Sequence, residues 1–175
     1  MRTGDRLRAI DASVKDWEAS LPQFRVQDLT LMRLVRVASL GISSLIDPLL
    51  QPSGLTESSF HTLIILFAAG ARGATPSDLC GQVGQARANM TRILNLLAEE
   101  GWIEARGDPR DARRKFIQIT PSGRRLVKRY ADLLSPVARA AVGGLGEAEK
   151  KNLERLLRQM ISSMVATEGG ASRQT

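Results

Sequence analysis

Gln85, Arg87, Ala88, Asn89 and Arg92 fall on a segment whose apolar Met90, Ile93, Leu94 and Leu97 recur at three- and four-residue spacing. A helix built this way buries one face and offers the other as amides and guanidinium groups. Those are the groups that pair bidentately with base edges, Asn or Gln with adenine and Arg with guanine. Further along, Asp108-Pro109-Arg110-Asp111-Ala112-Arg113-Arg114-Lys115 gathers cations on a turn. Arginine there suits a narrow, electronegative minor groove, and its neighbours suit phosphates, whose contacts give affinity and register but little sequence information.

Such groups must be carried on a rigid frame, and the flanking residues supply one. Thr75-Pro76 reads as a hydroxyl cap followed by a first-turn proline, whose missing N–H costs nothing there. Asp78 stands in that first turn, where the helix dipole favours an anion. The short helix is expected to end near Gly84, and the second to run from about Ala86 to Glu100, stopped by Gly101. Two extended pieces, 102–106 and 116–120, then flank the cationic turn. Helix, turn, helix and hairpin in that order define a winged helix-turn-helix.

The net charge of +7 is not spread evenly. Arg72 to Arg129 holds 12 basic and 6 acidic residues, whereas Met1 to Ala71 holds 7 of each. A surplus confined to such a motif is the electrostatic footprint of a nucleic-acid binder. A single cysteine, Cys80, excludes an internal disulfide framework. One His and one Cys cannot furnish a metal cluster, and no nucleophile–base–acid set points to catalysis. Gly81-Gln82-Val83-Gly84 lacks the Lys-Ser/Thr of a phosphate loop and reads as a turn. No cofactor and no metal are therefore expected. The N-terminal segment has no apolar signal core, and the longest apolar run, Leu63 to Gly70, is too short to cross a bilayer. The expectation is a cytoplasmic protein with no membrane partner.

The remaining chain reads as helices. Residues 5–20 carry Leu7, Ile10, Val14 and Trp17 on one face, a helix too short to be stable undocked. Asp28 to Leu49 aligns Leu31, Leu34, Val35, Ala38, Ile42, Leu45 and Leu49. Thr56 to Ala69 follows, with Phe60, Leu63, Ile64 and Phe67 as its stripe. After the hairpin, Thr120-Pro121 opens a helix to about Val142 that Pro136 is expected to kink. Glu147 to Val165 ends the ordered chain. Three long stripes outside the winged motif exceed what one monomer can cover, and a two-fold bundle with a second copy would bury them. The fold class expected is mainly α with a small β wing, a winged helix-turn-helix plus a helical dimerisation bundle. Residues 1–22 would form an arm, 23–54 and 121–166 the dimerisation helices, 55–120 the DNA-binding region, and 167–175 a disordered tail.

Pro76-Ser77-Asp78-Leu79, Met90-Thr91-Arg92, Ala98 to Ile103, the Asp108 to Arg114 turn, and Ile119-Thr120-Pro121-Ser122-Gly123 together resemble the MarR family of bacterial transcription regulators. The resemblance runs from about Leu29 to Met164 and departs at Ala86 and Asn89, where a hydroxyl residue is more usual. It implies an obligate homodimer reading a pseudo-palindromic operator in double-stranded DNA. It also implies a minor-groove Arg113 oriented by Asp111, with Arg110, Arg114 and Lys115 on phosphates. Family members sense small aromatic or phenolic compounds between the third helix and the dimer helices. His61, Trp17, Asp28 and Arg92 are the candidates for that pocket. Trp17 and Arg92 match the urate-responsive branch, but His61 and Ala68 stand where it carries charges, which argues against urate and leaves a related anionic aromatic open.

His61, the only histidine, has an alternative reading as a core residue shielded from water, and Asp28 as a helix N-cap. Cys80 reads as a buried structural thiol. Two functions stay open: a repressor released by a small aromatic or carboxylate effector, and a ligand-independent DNA-bound scaffold regulated by abundance or a protein partner.

Overall fold

The computed structural model describes residues 2–20, 23–108 and 111–171, leaving out the side chains of Lys15, Ala19, Asp108, 111–114 and 168–171. Among the described residues, seven α-helices and one hairpin follow in order: α1 Thr3–Ser20, α2 Val26–Leu50, α3 Glu57–Ala69, α4 Pro76–Val83, α5 Arg87–Glu99, β1 Ile103–Asp108, β2 Asp111–Ile119, α6 Pro121–Ala141 and α7 Glu147–Ala171. The chain forms two compact units, which meet between Ser135 and Pro136.

In the first unit the core lies where α3, α4, α5, the hairpin and the start of α6 converge. Leu63, Leu66, Leu79 and Leu97 are fully buried, with Met90, Ile103, Ile117, Ile119, Val127 and Tyr130 around them. Replacing any one of these leucines by alanine would cost about 2–5 kcal/mol. Thr56 caps α3 through a reciprocal capping box with Ser59, which sets the angle at which α3 enters. Tyr130 reaches from α6 to Ser53, its hydroxyl 2.6 Å from the serine oxygen, and meets Phe60 edge-on at 5.5 Å between ring centres. The buried face of α3 is Ser59, Phe60, Thr62, Leu63 and Leu66. Ile64 is 43% exposed and does not belong to the stripe expected for it.

α1 docks along α2 of the same chain. Ile10 is fully buried there, Arg33 lies 4.2 Å above the Trp17 ring, and its guanidinium donates to Ser13 Oγ at 3.3 Å. α2 joins the core only at its C-terminal end, through Ile46 and Leu50, and leaves Leu31, Met32, Val35, Ile42 and Leu45 exposed. Among the described residues one helix, over Val26–Ser53, is long and apolar enough to cross a membrane by length and mean hydropathy. The longest uninterrupted apolar run missed this, because Arg33, Arg36, Asp47 and the serines divide the segment while its average stays apolar.

The second unit holds the end of α6, the Gly143-Gly144 turn and α7. Glu149 accepts from the Gly146 N–H at 2.7 Å at the start of α7. Lys150, 2.7 Å from Glu147, holds that exposed carboxyl below its ordinary range. Leu153, Leu156, Leu157, Ile161, Met164 and Val165 are exposed. Two expectations are corrected here. α7 continues to Ala171, whereas order was expected to stop after residue 166. The two strands also reach further into the cationic turn than the short extended pieces expected, because antiparallel pairing propagates out to Gly107 opposite Lys115.

Candidate nucleic-acid interface

α4 begins as its residues dictate. The Thr75 hydroxyl and the Asp78 backbone N–H lie 3.2 Å apart, and the Asp78 carboxylate accepts from the Thr75 N–H at 3.2 Å and its hydroxyl at 2.7 Å. Gly84 ends α4 in the left-handed region (φ 68°), with its N–H on the Cys80 carbonyl. Cys80 packs partly buried against the core, less enclosed than expected. Ala86 then opens α5 with extended backbone and no side-chain cap, so first-turn N–H groups of α5 face outward without a side-chain acceptor. That leaves the positive end of the helix dipole available to an anion.

α5 buries Met90, Ile93 and Leu97. Arg87, Ala88, Thr91 and Arg92 are exposed, as the helical spacing required, and Asn89 and Gln85 are half-buried. The last two are not independent. Asn89 Nδ2 donates to Gln85 Oε1, and Gln85 Nε2 donates to Ser58 Oγ of α3 at 3.2 Å. Sequence reasoning missed Ser58 altogether. It lies 27 positions before Gln85, and no local pattern joins the two.

The wing is a two-stranded antiparallel sheet, with Ile103 opposite Ile119 and Ala105 opposite Ile117. Ala74 bridges Ile117 and ties the wing to the entry of α4. Two glycines are required at the wing's base. A Cβ on Gly73 (φ 65°) would strike the Ile117 carbonyl, and one on Gly123 would strike the Trp102 carbonyl. Thr120 and Ser122 both donate to the Gly101 carbonyl at 2.7 Å, and the Gly123 N–H returns to the Thr120 hydroxyl. The Thr-x-x-Gly spacing is thus a clamp between the wing and α6. Arg106 is held by Glu104 at 2.8 Å. Lys115 is exposed. Pro109 and Arg110 lie outside the described residues, as do the side chains of Asp111, Arg113 and Arg114.

The candidate ligand residues are not brought together. No hydrogen bond, ion pair or ring contact joins any two of Trp17, Asp28, His61 and Arg92 among the described residues. Trp17 is roofed by Arg33. His61 is exposed in the single chain and is not a core histidine, because α3 turns Phe60 and Thr62 inward on either side of it. Asp28 is in the first turn of α2 but is not its N-cap, a position held by Arg25, 3.9 Å from the Asp28 carboxylate. A hollow of about 450 Å³ does open elsewhere, between the C-terminal half of α3, α4 and β2. Ile65, Ala68 and Phe116 wall it, with Arg72 and Gln82 among its polar edges.

Two packed helices with an outward second helix, and a clamped two-stranded wing beside them, define a winged helix-turn-helix protein of the DNA-binding class. The profile of the MarR family matches residues 53–114. The transcriptional repressor MprA of Escherichia coli K12 is 28% identical over 141 residues, covering 81% of this chain and 80% of its own. The multiple antibiotic resistance protein MarR of Salmonella typhimurium is 30% identical over 95 residues, 54% of this chain and 65% of its own. The Staphylococcus aureus MepR–DNA complex superposes with a TM-score of 0.68 at 28% identity, over 74% of this chain and 95% of MepR. The chain is thus similar to winged-helix transcription regulators of the MarR family, and the relatives it matches are transcriptional regulators rather than enzymes.

Proposed function

We propose that the protein is a homodimeric repressor that binds a pseudo-palindromic operator in double-stranded DNA and works in the cytoplasm. The observation that carries the DNA reading is the bare N-terminus of α5, ringed by Arg87 and Asn89. It sits within the one stretch of the chain where basic residues outnumber acidic ones two to one. Gln85, Arg87, Ala88 and Asn89 would meet base edges in the major groove, and Arg92 a phosphate. Arg113, oriented by Asp111, would enter the minor groove, with Arg110, Arg114 and Lys115 on the backbone. The MepR relative was solved on DNA, which supports the same use of this fold. Binding should weaken steeply with salt, because each neutralised phosphate adds about 0.9 to the slope of log K against log salt. A slope near zero would remove the charge argument.

The second copy would cover the apolar face of α2. Arg33 and Arg36 stand within that helix, and charges in a bilayer core cost several kcal/mol, so another protein face suits it better than lipid. Residues 1–22, 23–54, 55–120 and 121–166 would then serve as arm, dimer helix, DNA-binding region and returning dimer helices.

Release by a small aromatic or phenolic carboxylate is the further part of the reading. His61, exposed on α3, and the hollow beside Arg72 are two places where an anion could be held. Trp17, Asp28 and Arg92 would contribute only once a second copy closes the site. The ligand-independent scaffold is favoured by one observation: Arg33 already covers the Trp17 ring. A thermal-shift panel of benzoates decides. Stabilisation that disappears in Arg72→Ala or His61→Ala locates the effector. No shift with any member of the panel, together with unchanged operator binding, favours the scaffold.

A further inference from the structure

Ser58 is not among the residues that carry the resemblance and does not lie on α5, yet it closes a side-chain chain that ends there. The serine occupies the first turn of α3, whose start is pinned by the Thr56–Ser59 capping box and by Thr62 donating to the Ser58 carbonyl at 2.9 Å. Gln85 is fixed in the turn between α4 and α5, its N–H on the Cys80 carbonyl at 3.0 Å. Its side-chain amide is then used at both ends, the nitrogen donating to Ser58 Oγ and the oxygen accepting from Asn89.

That arrangement has a chemical consequence. An amide read from outside can present its oxygen and nitrogen in either order, and the two orders match opposite donor–acceptor patterns on a base. Gln85 Oε1 can only accept, so the Asn89 edge facing it must be Nδ2. Gln85 holds that sense in the structure, with its own nitrogen donating to Ser58 Oγ. The Asn89 oxygen and its second N–H remain for the groove, in the pairing that suits adenine. We propose that Ser58 is a positioning residue for base reading: through Gln85 it sets which way round Asn89 presents its amide to DNA. The proposal rests on the reading of Asn89 as a base contact. Without the serine hydroxyl the Gln85 amide is free to turn over, and Asn89 loses the acceptor that orders it. Affinity for phosphates should not change, since neither amide contributes charge.

The test begins by selecting the preferred operator from a randomised duplex pool with the wild-type protein. Affinities of wild type, Ser58→Ala, Ser58→Thr, Asn89→Ala and the Ser58→Ala/Asn89→Ala double variant are then measured at one salt concentration. The duplexes are the operator, its single-base-pair variants and a random sequence. Ser58→Ala should flatten the preference by about tenfold, within the range for one mismatched base pair, at the same positions that Asn89→Ala flattens. Random-sequence affinity and melting temperature should hold, Ser58→Thr should restore the preference, and Ser58→Ala should add nothing to Asn89→Ala. A Ser58→Ala loss that is equal on operator and random DNA, or that adds fully to Asn89→Ala, overturns the relay. If Asn89→Ala flattens the preference and Ser58→Ala does not, the relay alone falls. If Asn89→Ala keeps the preference, the base-reading role of Asn89 falls, and the relay with it.

Discussion

Arg113 and His61 carry opposite expectations although each is one side chain. Arg113 sits on the wing beyond the Gly107–Lys115 pair, where a guanidinium gains most from a narrow groove. Arg113→Ala should weaken operator binding by about 1–3 kcal/mol, most on operators with A·T-rich flanks, as gel-shift titrations would read. Equal loss on operator and random DNA would reduce Arg113 to a phosphate contact. His61 faces solvent in the single chain, so alanine there removes no packed core group. His61→Ala should change stability by no more than about 0.5 kcal/mol and leave operator affinity unaltered. A large drop in melting temperature would show that the imidazole is buried in the assembled protein.

α5 starts without a side-chain acceptor for its first-turn amides, an omission that costs stability in the absence of DNA. Ala86 already has the extended backbone that a capping residue needs (φ −62°, ψ 148°). Ala86→Ser should therefore stabilise the free protein by about 0.5–2 kcal/mol, measured by chemical denaturation. A serine oxygen at that place would also compete with DNA phosphate for the same amides. Unchanged stability would mean that first-turn donors of α5 are already satisfied. The wing depends on close backbone approach at its base: Gly73 and Gly123 each sit against a carbonyl with no room for a Cβ.

On the scale of the molecule, apolar surface outside the core is what remains unexplained by one copy. Ile42 and Leu45 on α2 and Ile161 on α7 are among the large apolar side chains left exposed. Exposed apolar faces of that kind, one on α2 and one on α7, mark interfaces. The native protein should sediment at twice the chain mass. Ile42→Asp, which would place a charge in the paired face, should shift it toward the monomer. Operator affinity should then fall far more than affinity for random DNA, because two linked half-sites become one. A monomeric wild type that still binds its operator tightly would remove the dimer from the proposal.

Much of this architecture was legible in the residues alone, wherever the physics is local. Thr75-Pro76 with Asp78, Thr56, Gly84 and the α5 stripe each specify a helix end or face through neighbours within four positions, and all lie where expected. The charge surplus needed only counting. The sequence did not reveal what depends on distant chain meeting in space. The side of α3 that is buried, and so the exposure of His61, is decided by packing against α4, α5 and β2. Arg33 over Trp17 comes from the α1–α2 docking, and the length of the strands from cross-strand pairing. Ser58 reaches Gln85 only because α3 and the α4–α5 turn converge, and a hydrogen bond between residues so far apart leaves no periodicity to read.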